Sequence, residues 1–231
     1  PRADKIFGPG NAYVAAAKAL LAQSGGAAAD LPAGPSEVMV VADDAADPEL
    51  VAIDLLSQAE HDTLAQVVLV AFSDAFADQV ETATDRLLAE LPRAGTARAA
   101  LANSRAVIVD TDAEALEACD AYASEHLIVQ TAAPRAFAEK VRHAGSIFLG
   151  PWTPEAAGDY AAGPNHALPT AGAARAYGGV TVEMFQKTTT LLELSEAGAL
   201  AIAETVERLA ALEGLDAHRL AMEMRRRKAS S

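Results

Sequence analysis

The 231-residue sequence has few of the features that mark secreted, membrane or nucleic-acid-binding proteins. Cys119 is the only cysteine, which excludes a disulfide framework within the chain and predicts a cytoplasmic protein. No apolar run approaches the ~18 residues that a membrane-spanning helix needs, so no membrane partner is expected. Basic residues number 18 against 32 acidic ones, and the net charge is −14. Such a surface repels phosphate backbones, so no nucleic-acid partner is expected either.

What the sequence does contain is an alternation of short β-branched runs with alanine-rich helical stretches. The alternation predicts an α/β fold, Rossmann-like, with a mostly parallel sheet covered by helices. Strands are predicted at Glu37–Ala42, Gln66–Phe72, Ala106–Asp110, His126–Gln130 and Ser146–Leu149. Helices are predicted at about 12–23, 47–60, 73–91, 96–103, 112–123, 134–143, 199–212 and 216–227, with short additional strands at 180–183 and 189–193.

Two glycine-rich segments interrupt this alternation. The turn Gly8-Pro9-Gly10-Asn11 leads into a helix, where backbone N–H groups could face an anion. The third glycine of a dinucleotide fingerprint is absent and no clear strand precedes the turn, so a simple helix start is the more common interpretation. Residues 153–179 are predicted to form a long loop, and its polar side chains favour a functional loop over a disordered one.

Gln58 and His61 are candidates for a metal site. They are three residues apart at a predicted helix end, so their side chains share a face with Cβ atoms about 5–6 Å apart. Imidazole favours zinc, whereas an amide oxygen is a weak neutral ligand. Asp159 could supply the anionic ligand. The alternatives are a solvated glutamine, a histidine near the helix dipole and an ordinary Gly-Asp-Tyr turn.

Glu125 and His126 are candidates for proton transfer. They begin a predicted strand, and adjacent residues in a strand point to opposite faces, so we expect two separate proton carriers. The alternative is a strand start with two solvated residues. Cys119 lies among acidic residues on a predicted helix, which should raise its pKa. It is therefore interpreted as structural, and cysteine-dependent aldehyde oxidation is disfavoured.

Taken in order, several blocks of the sequence resemble the histidinol dehydrogenase family. The resemblance covers essentially the whole chain, and so many blocks in one order are far more specific than any of them alone. Family chains are much longer, and the resemblance is to their C-terminal half. The blocks are Asp4–Asn11, Leu31–Glu37, Asp54–His61, Glu125–Ile128, Ser146–Gly150, Gly158–Tyr160, Asn165–Thr170 and Phe185–Lys187.

This resemblance implies zinc- and NAD-dependent oxidation of L-histidinol to L-histidine through the aldehyde, the last step of histidine biosynthesis. His126 would be the general base, and Glu125 would activate water to hydrate the aldehyde. Asn11 would contact NAD. The implied zinc ligands are Gln58, His61, Asp159 and His218. The implied substrate contacts are Ser36, Gln58, His61, His126, Asp159, His166, Glu213 and His218.

The resemblance also implies an organisation in three parts. Residues 1–35 would end a second Rossmann-like domain, 36–180 would form the domain with the zinc and catalytic residues, and 181–231 would be an α/β and helical extension. The helical tail would reach across a homodimer, so that His218 and Glu213 complete the neighbour's site.

Much of the NAD surface would belong to an N-terminal half, so the chain alone is expected to bind NAD poorly and to be weakly active or inactive. Two other interpretations stay open. One is a zinc-dependent hydrolase in which Glu125 acts with a metal-bound water. The other is a non-catalytic α/β interaction module.

Overall fold

The computed structural model describes residues 2–8 and 10–229, so Pro9 of the glycine-rich turn lies outside the described residues. The chain divides into two compact units, Pro1–Phe185 and Gln186–Ser231, and each is described by itself. The predicted boundary near residue 35 is not tested by this division and stays a prediction.

The first unit is an α/β fold whose elements alternate along the chain. Its strands are β1 (Lys5–Ile6), β2 (Ala28–Ala29), β3 (Glu37–Ala42), β4 (Gln66–Ala71), β5 (Arg105–Ile108), β6 (His126–Gln130) and β7 (Ser146–Leu149). Its helices are α1 (Ala12–Gln23), α2 (Pro48–Ala59), α3 (Asp74–Leu88), α4 (Ala94–Leu101), α5 (Asp112–Tyr122), α6 (Pro134–Ala138) and α7 (Glu155–Tyr160). Short 3₁₀ helices lie at Ala173–Arg175 and Val182–Phe185.

Five strands form one parallel sheet in the order β5-β4-β3-β6-β7. The central strand β3 is buried along its whole length. Val38 and Val40 pack into one hydrophobic cluster, whereas Met39 and Val41 pack into another. Apolar contacts on both faces explain why the strand is uninterruptedly apolar from residue 38 to residue 42. The predicted α/β fold with a mostly parallel sheet is therefore confirmed.

Two strand predictions after residue 179 were wrong. Val182–Phe185 is a 3₁₀ helix, and residues 189–193 have no regular structure. Leu191 and Leu192 are 96% and 79% exposed. A short apolar run becomes a strand only when a neighbouring strand pairs with its backbone, and none of the strands in the described part of the chain pairs with these runs.

The N-terminal turn is preceded by a strand that the sequence pattern did not reveal. β1 pairs in parallel with β2. The following helix α1 is capped by Asn11, whose side-chain oxygen accepts hydrogen bonds from the backbone N–H groups of Tyr13 and Val14. A two-residue strand carries too little periodicity to be predicted, whereas the cap marks the helix start clearly.

The second unit is helical. It contains α8 (Glu196–Leu212), capped by the Ser195 hydroxyl, and α9 (Asp216–Ala229). The two helices pack together, and Arg226 donates hydrogen bonds of 3.0 and 2.7 Å to the carboxylate of Glu207. Among the helices of the described residues, none has the length and apolar character that a membrane span requires.

Candidate active site

The predicted site residues of the first unit gather at the amino-terminal edge of the sheet. Ser36 precedes β3, Glu125 precedes β6, and His126 is the first residue of β6. α2 connects the end of β3 to the start of β4, so it runs back to this edge and places Gln58 and His61 there. In doubly wound sheets ligands usually bind at the opposite, carboxyl-terminal edge. The present arrangement therefore differs from an ordinary dinucleotide site.

One pocket brings most of the predicted residues together. Three predicted residues do not line this pocket. Asn11 is exposed at the start of α1, next in sequence to the pocket residue Gly10, and Glu213 and His218 belong to the second unit. His218 lines a separate, mainly apolar groove between α8 and α9. The pocket is lined by Gly10, Ala33, Gly34, Ser36, Gln58, His61, Glu125, His126, Glu155, Asp159, His166, Leu168 and Thr170.

The His126 imidazole is oriented as a base. Its Nδ1 lies 3.2 Å from the backbone carbonyl oxygen of Glu37, which can only accept a hydrogen bond. This contact assigns the proton to Nδ1 and leaves the Nε2 lone pair unprotonated. Nε2 has no hydrogen-bond partner among the described residues, and it lies 3.9 Å from Oδ1 of Asp159. Burial lowers the pKa of His126, so the ring is neutral and ready to accept a proton.

Glu125 shares the pocket with His126, and the expectation that the two point to opposite faces was wrong. Oε2 of Glu125 lies 3.7 Å from Nδ1 of His126 and accepts a 3.1 Å hydrogen bond from the backbone N–H of Glu37. The alternation of strand residues does not apply, because Glu125 lies in a bend before β6. Burial raises the pKa of Glu125 to about 8.

A set of possible metal ligands lies beside this pair. His61, Glu155 and Asp159 each offer a ligand atom, and these atoms lie within 4.8 Å of one another. Gln58 is fully buried in the same pocket. Burial, followed by the charge of Asp159, raises the pKa of Glu155 to about 9. A cation bound among these groups would lower such pKa values and keep the carboxylates ionised.

Glu155 is the site residue that sequence reasoning missed. The predicted loop 153–179 contains α7, and Glu155 and Asp159 lie four residues apart on it, on one helical face. The available signal was Pro154 followed by an acidic residue, which is typical of a helix start. Because this short helix also contains a glycine, the sequence did not predict a helix here. Gly158 is needed because a Cβ there would lie 2.5 Å from Cε1 of Phe148.

Cys119 lies away from the pocket, in the core cluster on one face of the sheet. Burial, with a further contribution from the charge of Asp120, raises the pKa of the thiol to about 12. A thiol that stays protonated is a poor nucleophile. This agrees with the structural role expected from the sequence.

Fold and pocket together define an α/β protein with a buried acid–base pair next to a group of nitrogen and oxygen ligands. The profile of the family "Histidinol dehydrogenase" matches residues 1–226. The chain therefore belongs to the histidinol dehydrogenase family, as the resemblance predicted.

Individual relatives agree with this assignment. The chain is 53% identical over 225 residues to a histidinol dehydrogenase of Xanthomonas campestris pv. campestris, covering 97% of this chain and 52% of the relative. It is 50% identical over 226 residues to one of Salmonella typhi, with the same coverage of 97% and 52%. The crystal structure of histidinol dehydrogenase from Elizabethkingia anophelis is similar with a TM-score of 0.92 and 44% identity, covering 99% of this chain and 52% of that one. The chain thus spans about half the length of the relatives it matches.

Proposed function

We propose that this chain carries the zinc-binding and proton-transferring part of a histidinol dehydrogenase that oxidises L-histidinol to L-histidine through the aldehyde, with NAD as electron acceptor. The observation that carries the proposal is the buried His126 imidazole, whose free Nε2 faces a pocket of acidic and metal-binding side chains. Membership of the family supplies the substrate and the reaction.

The pocket residues fit zinc. An imidazole, an amide oxygen and a carboxylate are suitable zinc ligands, and the pocket lining contains no lysine or arginine to balance its carboxylates. Gln58, His61 and Asp159 would hold the ion, and His218 from a second copy of the chain would complete the set. When bound, zinc would act as a Lewis acid that holds and orients the substrate.

The residues at the N-terminus of α1 fit a contact to NAD, which accepts a hydride in each oxidation when it is bound. The cap of α1 uses only the side-chain oxygen of Asn11, so the side-chain nitrogen of this exposed residue is available to a ligand. Most of the NAD surface is proposed to come from the part of the family's chain that lies outside this sequence.

His126 and Glu125 are proposed to divide the proton transfers. Nε2 of His126 takes the alcohol proton while the carbon loses a hydride, and the Glu37 carbonyl holds the ring through Nδ1. Glu125 then takes a proton from the water that adds to the aldehyde carbon, and this water supplies the second oxygen of the carboxylate. A cation held in the pocket would keep Glu125 ionised, which is the form that can accept this proton. Ser36, His166 and Glu213 are proposed to contact the substrate.

A homodimer with shared sites is part of the proposal. The second unit exposes large apolar side chains, among them Leu191, Leu192 and Leu212. Exposed apolar side chains in such number are typical of a surface that a partner covers. A second copy of the chain is the proposed partner, and His218 and Glu213 of that copy would then serve the first copy's pocket.

The test measures NADH formation from L-histidinol by this chain assembled with the N-terminal half of the Salmonella typhi relative. The substitution His126→Asn should lower the rate ~10²–10⁴-fold, the usual contribution of a general base. Glu125→Gln should spare the first oxidation and block the second, which halves the NADH formed per histidinol consumed and releases the aldehyde. His143→Asn, outside the pocket, is the matched control and should behave like the parent.

Two results would contradict the proposal. If the parent assembly forms no NADH but hydrolyses an amide or ester when zinc is present, the hydrolase interpretation is correct. If His126→Asn retains the parent rate, the proton acceptor is another group, and the orientation of the imidazole has no catalytic meaning.

A further inference from the structure

Glu155 stands out among the pocket residues because its carboxylate lies close to several functional side chains at once. It is 3% exposed. Its oxygens lie 2.8 and 3.2 Å from the terminal atom of the Gln58 amide that faces it, and that atom is assigned as nitrogen because it then donates to both. Oε1 also lies 3.6 Å from Nδ1 of His126, which is too long for a hydrogen bond. The amide of Gln58 is thus the group that Glu155 binds directly.

We infer that Glu155 is a positioning residue, whose carboxylate holds the Gln58 amide by its nitrogen and thereby turns the Gln58 oxygen toward the metal-binding side of the pocket. The inference rests on the proposed zinc site. It assigns Glu155 a role different from that of His61 and Asp159, although all three groups lie within 4.8 Å of one another.

The physical need for such a residue comes from the chemistry of a glutamine side chain. The terminal torsion of glutamine is soft and roughly two-fold, so the amide can present either its oxygen or its nitrogen to the same point. Only the oxygen can bind a cation. An acceptor on the other side selects the binding orientation, in the way that neighbouring hydrogen bonds fix metal ligands in general.

The fold keeps this acceptor in place. α7 packs closely on β7, since Gly158 leaves no room for a Cβ against Phe148. Glu155 and Asp159 share one face of α7, so the positioning carboxylate and a proposed zinc ligand move as one rigid element. Gln58 is fully buried and comes from α2, so the contact joins two helices from distant parts of the chain.

The test compares zinc affinities of the full 231-residue chain carrying Glu155→Gln, Glu155→Leu or His61→Ala. Affinity is measured by competition with a chelator, and the visible spectrum of bound Co²⁺ reports the ligand geometry. Glutamine at 155 still offers an oxygen acceptor, so this variant should keep the parent's affinity within a few-fold and its cobalt spectrum. Leucine offers none, and it should lose ~10–100-fold in affinity, as expected for removal of a group that orients a metal ligand.

The outcomes separate the inference from the proposed function. If Glu155 were itself a ligand, Glu155→Gln would replace a charged ligand by a weaker neutral one, so it would already lose affinity and change the cobalt spectrum, and that result overturns the positioning role. Unchanged affinity and an unchanged spectrum in Glu155→Leu would also overturn it. If the parent binds zinc no better than His61→Ala, the zinc site itself fails and the inference fails with it.

A double substitution keeps the test decisive if Glu155→Leu does not fold. Gln58→Glu alone places two carboxylates in contact and should bind zinc worse than the parent, even though carboxylate is the better ligand. Combining it with Glu155→Gln restores a donor facing an acceptor, and zinc affinity should recover. Failure of the double variant to exceed Gln58→Glu would overturn the inference.

Discussion

Two buried polar clusters in the first unit differ in how their charges are balanced. In the first, Lys18 and Asp30 form a 2.7 Å ion pair, and Asp30 also accepts hydrogen bonds from the backbone N–H groups of Gly8 and Leu31. Lys18 donates in addition to the Gly8 carbonyl. Burial tends to raise the pKa of Asp30, but these donors outweigh it and hold the pKa below its usual value. This cluster is complete without any ligand.

The second cluster, which lies in the pocket, has acidic side chains without a basic side chain to pair with them. Glu125, Glu155 and Asp159 face a neutral imidazole, and neither lysine nor arginine lines the pocket. The pKa values of Glu125 and Glu155 are accordingly raised, to about 8 and about 9, chiefly by burial. Without a cation these two carboxyl groups therefore remain largely protonated near neutral pH, and a bound cation would allow them to ionise. The comparison therefore distinguishes a cluster that stabilises the fold from a cluster that is prepared for a cation.

The largest change in stability is expected from removing one partner of the Lys18–Asp30 ion pair. Lys18→Met leaves the Asp30 carboxylate buried without its cation, and removing one partner of a buried pair typically costs about 3–5 kcal/mol. Urea unfolding at neutral pH measures the loss. The double variant Lys18→Met/Asp30→Asn is the control and should recover much of the stability. If Lys18→Met unfolds like the parent, the pair does not carry the structural role assigned to it.

Zinc binding in the pocket should stabilise the folded chain by about as much as Lys18→Met destabilises it. A ligand that binds only the folded state stabilises it by about 4 kcal/mol when its free concentration is a thousand times Kd. Thermal unfolding with and without Zn²⁺ measures this shift. The shift should disappear in His61→Ala and persist in Lys18→Met. A shift of the same size in His61→Ala would mean that zinc binds elsewhere, and the contrast between the clusters would lose its functional meaning.

The sequence predicted the strands and part of the pocket, but it did not predict how the pocket residues are arranged. The five strands of the large sheet were predictable because each contains a short apolar run bounded by turn residues, and Gln58 and His61 were recognisable by their helical spacing. The placement of His126 at the amino-terminal edge, with its Nδ1 on a backbone carbonyl, depends on which strands are neighbours in the sheet. No local pattern encodes that neighbourhood.

Glu155 shows why the remainder of the site was not predictable. α7 is only six residues long and contains Gly158, so neither periodicity nor helix propensity identifies it. The importance of Glu155 comes from its contact with Gln58, which lies on a different helix far away in the chain. Lys18 and Asp30 were overlooked for a related reason, since a lysine in an alanine-rich helix resembles an ordinary solvated side chain until the fold buries it.

The smallest expected effect is a difference between the two clusters in how they change the stability of the folded chain with pH. Glu125 has a pKa raised from 4.5 to about 8, so between these values the folded state binds more protons than the unfolded state. The zinc-free chain should therefore lose stability as pH rises through this window, by at most ~1.4 kcal/mol per pH unit for this one group. Asp30 acts in the reverse sense, because its stabilisation is lost as pH falls below its ordinary value.

Urea unfolding of the zinc-free chain at a series of pH values measures both trends. Glu125→Gln cannot ionise, so it should make the decline between pH 4.5 and about 8 shallower while leaving the acid side unchanged, and the decline that remains is expected from Glu155, whose pKa is also raised. Asp30→Asn, tested together with Lys18→Met to avoid an unpaired lysine, should reduce the loss of stability at acid pH and leave the decline at higher pH unchanged. If Glu125→Gln follows the parent at every pH, Glu125 is not held in a charge-poor environment. The pocket would then resemble the balanced cluster, and its need for a cation would lose its physical basis.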